Sequence, residues 1–207
     1  MDPSARFWDK VAARYAKRPI ADEAAYRTKL EITRRYLRPE MELLEIGCGT
    51  GSTALIHAPF VARIRAIDFS PNMIEIARRK ALAAGIDNVE FACSTLDDFQ
   101  APDRSFDAVL ALNVLHLLER RREAIAKVHR LLKPGGAFVT STVCLGDSWL
   151  KAIGLLVPIG RLVGLMPSVR ILKAEDLVAE LSAAGFSIDH RWQPGNGVFQ
   201  FIVALRG

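Results

Sequence analysis

The sequence predicts an α/β fold: a doubly wound, mostly parallel, seven-stranded sheet that finishes in an antiparallel hairpin. Three observations carry this. Short apolar runs alternate with helical stretches from residue 41 to 143, as in a parallel sheet covered on both faces. The first run meets a loop with glycine at every second position, Gly47, Gly49 and Gly51. The last two runs are separated by Pro194-Gly195-Asn196-Gly197, which is turn chemistry and not a crossover.

In chain order, residues 4–17 place Phe7, Val11 and Tyr15 at helical spacing. Asp22 reads as the N-cap of a second helix, to about Leu37, stopped by Pro39. Strand 41–46 leads through the glycines to a helix over 51–58, ended by Pro59. Strand 61–67 leads to Asp68, then Ser70 as N-cap with Pro71 at the first helical position. That helix stops at Gly85. Strands 89–93 and 106–112 follow, then a helix over 121–132, which Lys133-Pro134-Gly135-Gly136 ends sharply. Strand 137–143 closes the alternating series. A helix over 174–185 and strands 186–192 and 198–205 complete the sheet. Right-handed crossovers put the ligand crevice at the carboxyl ends of the parallel strands.

The chain has 207 residues, half of them hydrophobic, which fits one domain with small additions. Its net charge is +5, but Arg34-Arg35, Arg78-Arg79-Lys80 and Arg120-Arg121-Arg122 fall on predicted helices without interleaved stacking aromatics. They read as solvated faces, and no nucleic-acid partner is expected. Cys48, Cys93 and Cys144 are few, distant and without C-x-x-C spacing. They imply reduced thiols in a cytoplasmic protein and no metal site. Residues 1–10 lack the apolar core of a signal peptide.

The pattern Glu45-x-Gly47-x-Gly49-x-Gly51 has Ser52 where the dinucleotide fingerprint needs glycine. It resembles the first motif of the class I S-adenosylmethionine (SAM)-dependent methyltransferases, in the group that includes quinone and small-molecule methyltransferases. The resemblance covers residues 10–143 well and 174–206 moderately, and it implies a Rossmann-like methyltransferase fold. It also implies SAM as cofactor, S-adenosylhomocysteine (SAH) as product and a small-molecule acceptor. Glu45, Gly47, Cys48, Gly49 and Gly51 then wrap the methionine end. Asp68, about 20 residues beyond the first glycine, takes the ribose hydroxyls. Phe69 and Met73 pack on the adenine. Thr95 stands where the family often has an acid for the adenine amine, with Asp97 as a nearby alternative and Leu96 supplying an amide. Tyr15 resembles a tyrosine that folds over the cofactor from an N-terminal helix. Asn113 and His116 emerge at the crevice. Asn113 can hold the SAM ammonium or orient substrate; His116, with an ordinary pKa near 6.5, is a candidate general base. Asp107 starts its strand at the far end and reads as structural.

The expected organisation is a helical cover (1–38), a cofactor-binding core (39–143), a substrate lid (144–173) and a C-terminal helix and hairpin (174–207). The lid is apolar with isolated cations at Lys151, Arg161 and Arg170, which suits a hydrophobic or aromatic acceptor. The same stretch suits a dimer interface or peripheral membrane contact, so monomer and homodimer both stay open. The reading is a methyltransferase acting on a small acceptor. The alternatives are a lipid or quinone headgroup methyltransferase at the membrane surface and a non-catalytic SAM-binding protein.

Overall fold

The computed structural model describes residues 3–144, 146, 172–194 and 198–207. Nearly all of the expected lid, and the hairpin tip Gly195-Asn196-Gly197, lie outside the described residues.

Two helices, α1 (Pro3–Ala16) and α2 (Glu23–Arg34), precede the sheet. The core then runs β1 (Glu42–Ile46), α3 (Ser52–His57), β2 (Arg63–Asp68), α4 (Pro71–Ala84), β3 (Val89–Cys93) and β4 (Phe106–Leu112). It continues with α5 (Arg121–Leu131), β5 (Leu132–Val143), α6 (Ala174–Ala183), β6 (Phe186–Trp192) and β7 (Phe199–Arg206). The strand order is β3-β2-β1-β4-β5-β7-β6. The first five strands are parallel, and β7 runs antiparallel between β5 and β6. The chain winds outward from β1 through β2 and β3, then returns to start β4 on β1's other side. That reversal opens the crevice at the carboxyl ends of β1 and β4.

The expected caps form. The Asp22 carboxylate accepts from Ala25 N at 2.8 Å, and Ser70 Oγ accepts from Met73 N at 3.2 Å with Pro71 in the first turn. α2 ends three residues before the expected Leu37, because Tyr36 N and Leu37 N bond back to Thr33 O and Arg34 O in a tighter final turn. The largest difference is at Lys133-Pro134-Gly135-Gly136. These residues lie inside β5, whose pairing begins at Leu132 opposite Phe106 and resumes at Ala137 opposite Ala108. The extra residues bulge out, anchored by Lys133 Nζ on the Asp107 carboxylate at 2.8 Å and by Arg206 Nη1 on the Leu132 carbonyl. Asp107 also accepts from Glu42 N at 2.8 Å, which fixes the far end of the sheet.

Each face of the sheet carries its own apolar cluster. α5 and α6 cover Leu44, Val109, Phe138 and Ile202; α2, α3 and α4 cover Leu43, Ile64, Leu110, Val139 and Phe201. Alternation along β1 and β5 therefore turns Glu45 and Ser141 toward the second face.

His57 is fully buried at the end of α3, and neither ring nitrogen finds a hydrogen-bond partner among the described residues. Burial, then the charge of Arg34, pushes its pKa down to about 4. The unfolded chain therefore binds a proton that the folded chain refuses between the ordinary value of 6.5 and about 4. This contribution is intact above that window and lost as pH falls through it. Other buried groups shift the baseline, so the effect is read as a difference between proteins. The stability gap between His57→Leu and the unaltered chain should move by about 2 kcal/mol in favour of the variant from pH 7 to pH 5. Denaturant titrations at both pH values check this; a constant gap would mean that His57 does not titrate in this window.

Candidate functional site

β1 ends in the loop Gly47-Cys48-Gly49-Thr50-Gly51, and its three glycines have φ of +64°, +54° and +76°. They differ in surroundings. A Cβ on Gly47 would meet Val114 Cγ2 at 2.4 Å, and one on Gly51 would meet Ala77 and Phe91 at 2.8 Å. Those two positions need glycine so that the loop can pack between α4, β3 and the turn after β4. At Gly49 nothing lies within 4 Å of such a Cβ, so the backbone there borders open space.

Asp68, at the end of β2, closes this loop from the side. Its Oδ2 accepts from Gly49 N at 2.9 Å, and its Oδ1 accepts from Ser70 N at 2.9 Å. Each carboxylate oxygen keeps a further lone pair. The residue is only 8 % exposed, and burial raises its pKa while the two amides oppose the rise.

Glu45 is more unusual. It is 3 % exposed, and its Oε2 has no hydrogen-bond partner among the described residues. Burial, then the nearby charge of Asp68, pushes its pKa up to about 8. Two buried carboxyl groups thus share one crevice, and no salt bridge to either is present among the described residues. Such a site is short of a positive charge. The Cys48 thiol is held well above its ordinary pKa by burial and by both carboxylates, which makes it a poor nucleophile.

Asn113 follows β4 in the left-handed region, φ +60°, a conformation that asparagine tolerates. Its amide donates to Ser141 O at 2.7 Å, and its side chain is exposed at the crevice. His116 sits in a short 3-10 turn, Leu115–Leu117. It is buried, Nδ1 lacks a partner among the described residues, and burial pushes its pKa down to about 4. The ring is therefore neutral at pH 7 and a weaker base than the ordinary value of 6.5 implies.

Thr95 is exposed, and its hydroxyl is engaged: it donates to Asp98 Oδ2 at 2.7 Å and accepts from Asp98 N at 3.1 Å. Asp97 is drawn to Arg120 at 2.6 Å. Leu96 is buried in the core. Phe69 is half-buried beside Asp68, whereas Met73 is buried beneath it. The third-strand end thus offers one remaining hydroxyl lone pair and no free carboxylate at Thr95 or Asp97.

α1 is pinned over the Asp68–Ser70 turn by Asp9, which accepts from Ser70 Oγ at 2.7 Å and Asn72 N at 2.9 Å. A carboxylate at the start of α4 is also favoured by the helix dipole. Tyr15, further along α1, stands edge-on to Trp8 with ring centroids 5.9 Å apart and is about half exposed.

Two residues at the crevice escaped the sequence reading. Tyr26 on α2 bonds Thr53 Oγ1 at 3.2 Å, and its pKa is raised by burial and by the charges of Glu45 and Tyr15. Lys29, one turn on, donates to Ser141 Oγ at 2.8 Å. The signal was available: Tyr26, Lys29 and Thr33 form a polar stripe at i, i+3, i+7 alongside the apolar positions of α2.

Comparison with known proteins bears on the family and the fold. A family profile described as a methyltransferase domain matches residues 44–140. An uncharacterized methyltransferase of Bacillus subtilis (strain 168), YcgJ, is 35% identical over 102 residues, covering 49% of this chain and 40% of its own. A ubiquinone biosynthesis O-methyltransferase of Xanthomonas axonopodis pv. citri is 31% identical over 140 residues, covering 67% of this chain and 56% of its own. The chain spans about half the length of the curated relatives it matches. Among solved structures, the [4+2]-cyclase SpnF superposes with a TM-score of 0.75 at 24% identity, covering 91% of this chain and 83% of its own. At that identity the likeness concerns the fold alone.

Proposed function

We infer that this chain, a member of the class I SAM-dependent methyltransferase family, binds SAM in the crevice at the carboxyl ends of β1, β2 and β4 and methylates a small aromatic or hydrophobic acceptor. The observation that carries the reading is the pair of buried carboxyl groups, Glu45 and Asp68, beside the open space at Gly49. Glu45 Oε2 is a buried acceptor with neither a hydrogen bond nor a salt bridge among the described residues, and SAM brings an ammonium and a sulfonium. Asp68 keeps lone pairs for the two ribose hydroxyls. Gly49 leaves the space that any side chain would fill. Asn113 stands at the same crevice with a free amide for the amino-acid end of the cofactor or for the acceptor, and Phe69 offers its ring to the adenine. The residues present therefore fit the cofactor, although Thr95 gives the adenine amine a weaker acceptor than a carboxylate does.

When bound, SAM supplies an electrophilic methyl group on a positively charged sulfur. The protein's share is alignment and exclusion of water. In this reading Tyr15 of α1 and Tyr26 of α2 close over the bound cofactor. With its pKa near 4, His116 is poorly matched to removing a phenolic proton, and we assign it to the wall of the site. His116→Gln should keep turnover within about threefold, far less than the 10²–10⁴-fold loss expected of a general base. A loss of that size with SAH affinity unchanged would restore His116 as the base.

The test of the function is production of SAH from SAM over a panel of phenols, catechols and hydroxyquinones. Acceptor-dependent SAH, absent in Asp68→Ala, is the expected result. SAM binding without turnover on any acceptor would favour the non-catalytic reading. The quinone-related name of one relative makes hydroxyquinones the first acceptors to try. Turnover that needs lipid vesicles would favour the membrane-surface alternative.

A further inference from the structure

We propose that Lys29, positioned by Ser141, forms the acceptor subsite and holds an aromatic hydroxyl as its oxyanion, with the ring lying toward Phe199. The proposal rests on the methyltransferase reading above and adds the substrate class.

The register places this cluster. Ser141 pairs with Leu112, the residue before Asn113, at the carboxyl ends of β4 and β5. It also pairs with Phe201 on β7, two residues from Phe199. Glu45 lies two strands away and two residues deeper, opposite Leu110, which pairs with Val139. With strands ~4.8 Å apart and a rise of ~3.3 Å per residue, Glu45 and Ser141 are roughly 12 Å apart along the sheet. That is the size of one small aromatic molecule beside the donor site. Both side chains face the α2 side of the sheet, and Lys29 of α2 reaches the Ser141 end.

The Lys29 ammonium is half-buried and directed at this end of the sheet. Its Nζ donates to Ser141 Oγ at 2.8 Å and sits 5.1 Å from the centre of the Phe199 ring. No carboxylate forms a salt bridge with it among the described residues; Asp22, a neighbour on the same helix, acts only at a distance. Burial correspondingly lowers its pKa, and an ammonium in that condition gains most from an incoming anion. Three donors and one hydroxyl partner among the described residues leave two N–H groups for an oxygen. Phe199, partly exposed, offers an apolar face for a ring. A weakly acidic hydroxyl therefore loses its proton to solvent on binding and stays as the oxyanion against Lys29. This removes the need for a protein base, in line with the depressed pKa of His116.

The test uses the full chain saturated with SAH and 4-nitrophenol as probe, because its anion is yellow and its pKa is near neutrality. In buffer below that pKa, the unaltered protein should turn the probe yellow in a saturable way. Lys29→Met should weaken probe binding at least tenfold and abolish the colour, while Lys29→Arg should retain both. SAH affinity, measured in the same samples, should be equal in all three and shows that each is folded. Equal colour with Lys29→Met, or binding of the uncoloured phenol by the unaltered protein, would overturn the proposal and leave the cofactor reading standing. Absence of SAH binding by the unaltered protein would remove the reading on which the proposal depends.

Discussion

Asp68→Ala is expected to weaken SAH binding by about 100-fold. Two ribose hydroxyls donating to an ionised carboxylate contribute about 1.5 kcal/mol each, and their loss together gives about 3 kcal/mol. The same substitution strands the amides of Gly49 and Ser70, which now end on this side chain. The loop would lose order as well as its ribose acceptor, and stability should fall by about 1–3 kcal/mol. Asp68→Asn separates the two effects. It keeps one acceptor oxygen for the loop but removes the charge, so stability should recover most of the way while SAH affinity stays about tenfold low. Isothermal titration and denaturant unfolding of both variants check this. Undiminished affinity in Asp68→Ala would mean that the ribose binds elsewhere.

The second large effect concerns Glu45. With a pKa of about 8 it is mostly protonated at neutral pH in the free protein. A cation brought against Oε2 favours the carboxylate, so SAM binding should release nearly one proton near pH 7. SAM affinity should then rise about tenfold per pH unit up to about pH 8, where the carboxylate is already ionised. Calorimetry in buffers of different ionisation enthalpy reads the proton directly. Glu45→Gln should abolish the release and weaken SAM binding by about 10–100-fold, the loss of a charge-assisted contact. It should also stabilise the free protein. The folded pKa lies above the ordinary 4.5, so Glu45's favourable contribution is complete below 4.5 and is lost as pH rises toward 8. At pH 7 about 3 kcal/mol of it is already gone, and a neutral amide avoids that loss. A variant that is less stable and still releases the proton would contradict this role for Glu45.

The fold was legible because its signals are local. Asp22, Ser70 and Pro71 define helix starts by side-chain chemistry a few residues long, and each cap forms as read. The glycine loop and Asp68 could be paired from spacing alone, since one crossover fixes their distance. What stayed hidden depends on tertiary contacts. Pro134-Gly135-Gly136 reads as a helix stop; only pairing of Leu132 with Phe106 shows that the strand has already begun and must bulge. His116 read as an ordinary imidazole, because burial at the turn after β4 cannot be seen in its neighbours. Tyr26 and Lys29 lie on the second N-terminal helix and were not singled out. They matter because α2 packs on the face where Glu45 and Ser141 point, and that face is decided by strand register. Thr95 was seen as a departure from the family pattern, but its capture by Asp98 was not.

Whether the Glu45–Asp68 crevice is a SAM site is decided by calorimetric titration of the unaltered chain with SAM and with SAH. Both should bind one-to-one at micromolar concentrations, with proton release on binding SAM near pH 7. Absence of binding to either ligand at millimolar concentration, by protein whose circular dichroism shows an intact fold, would contradict a SAM site there.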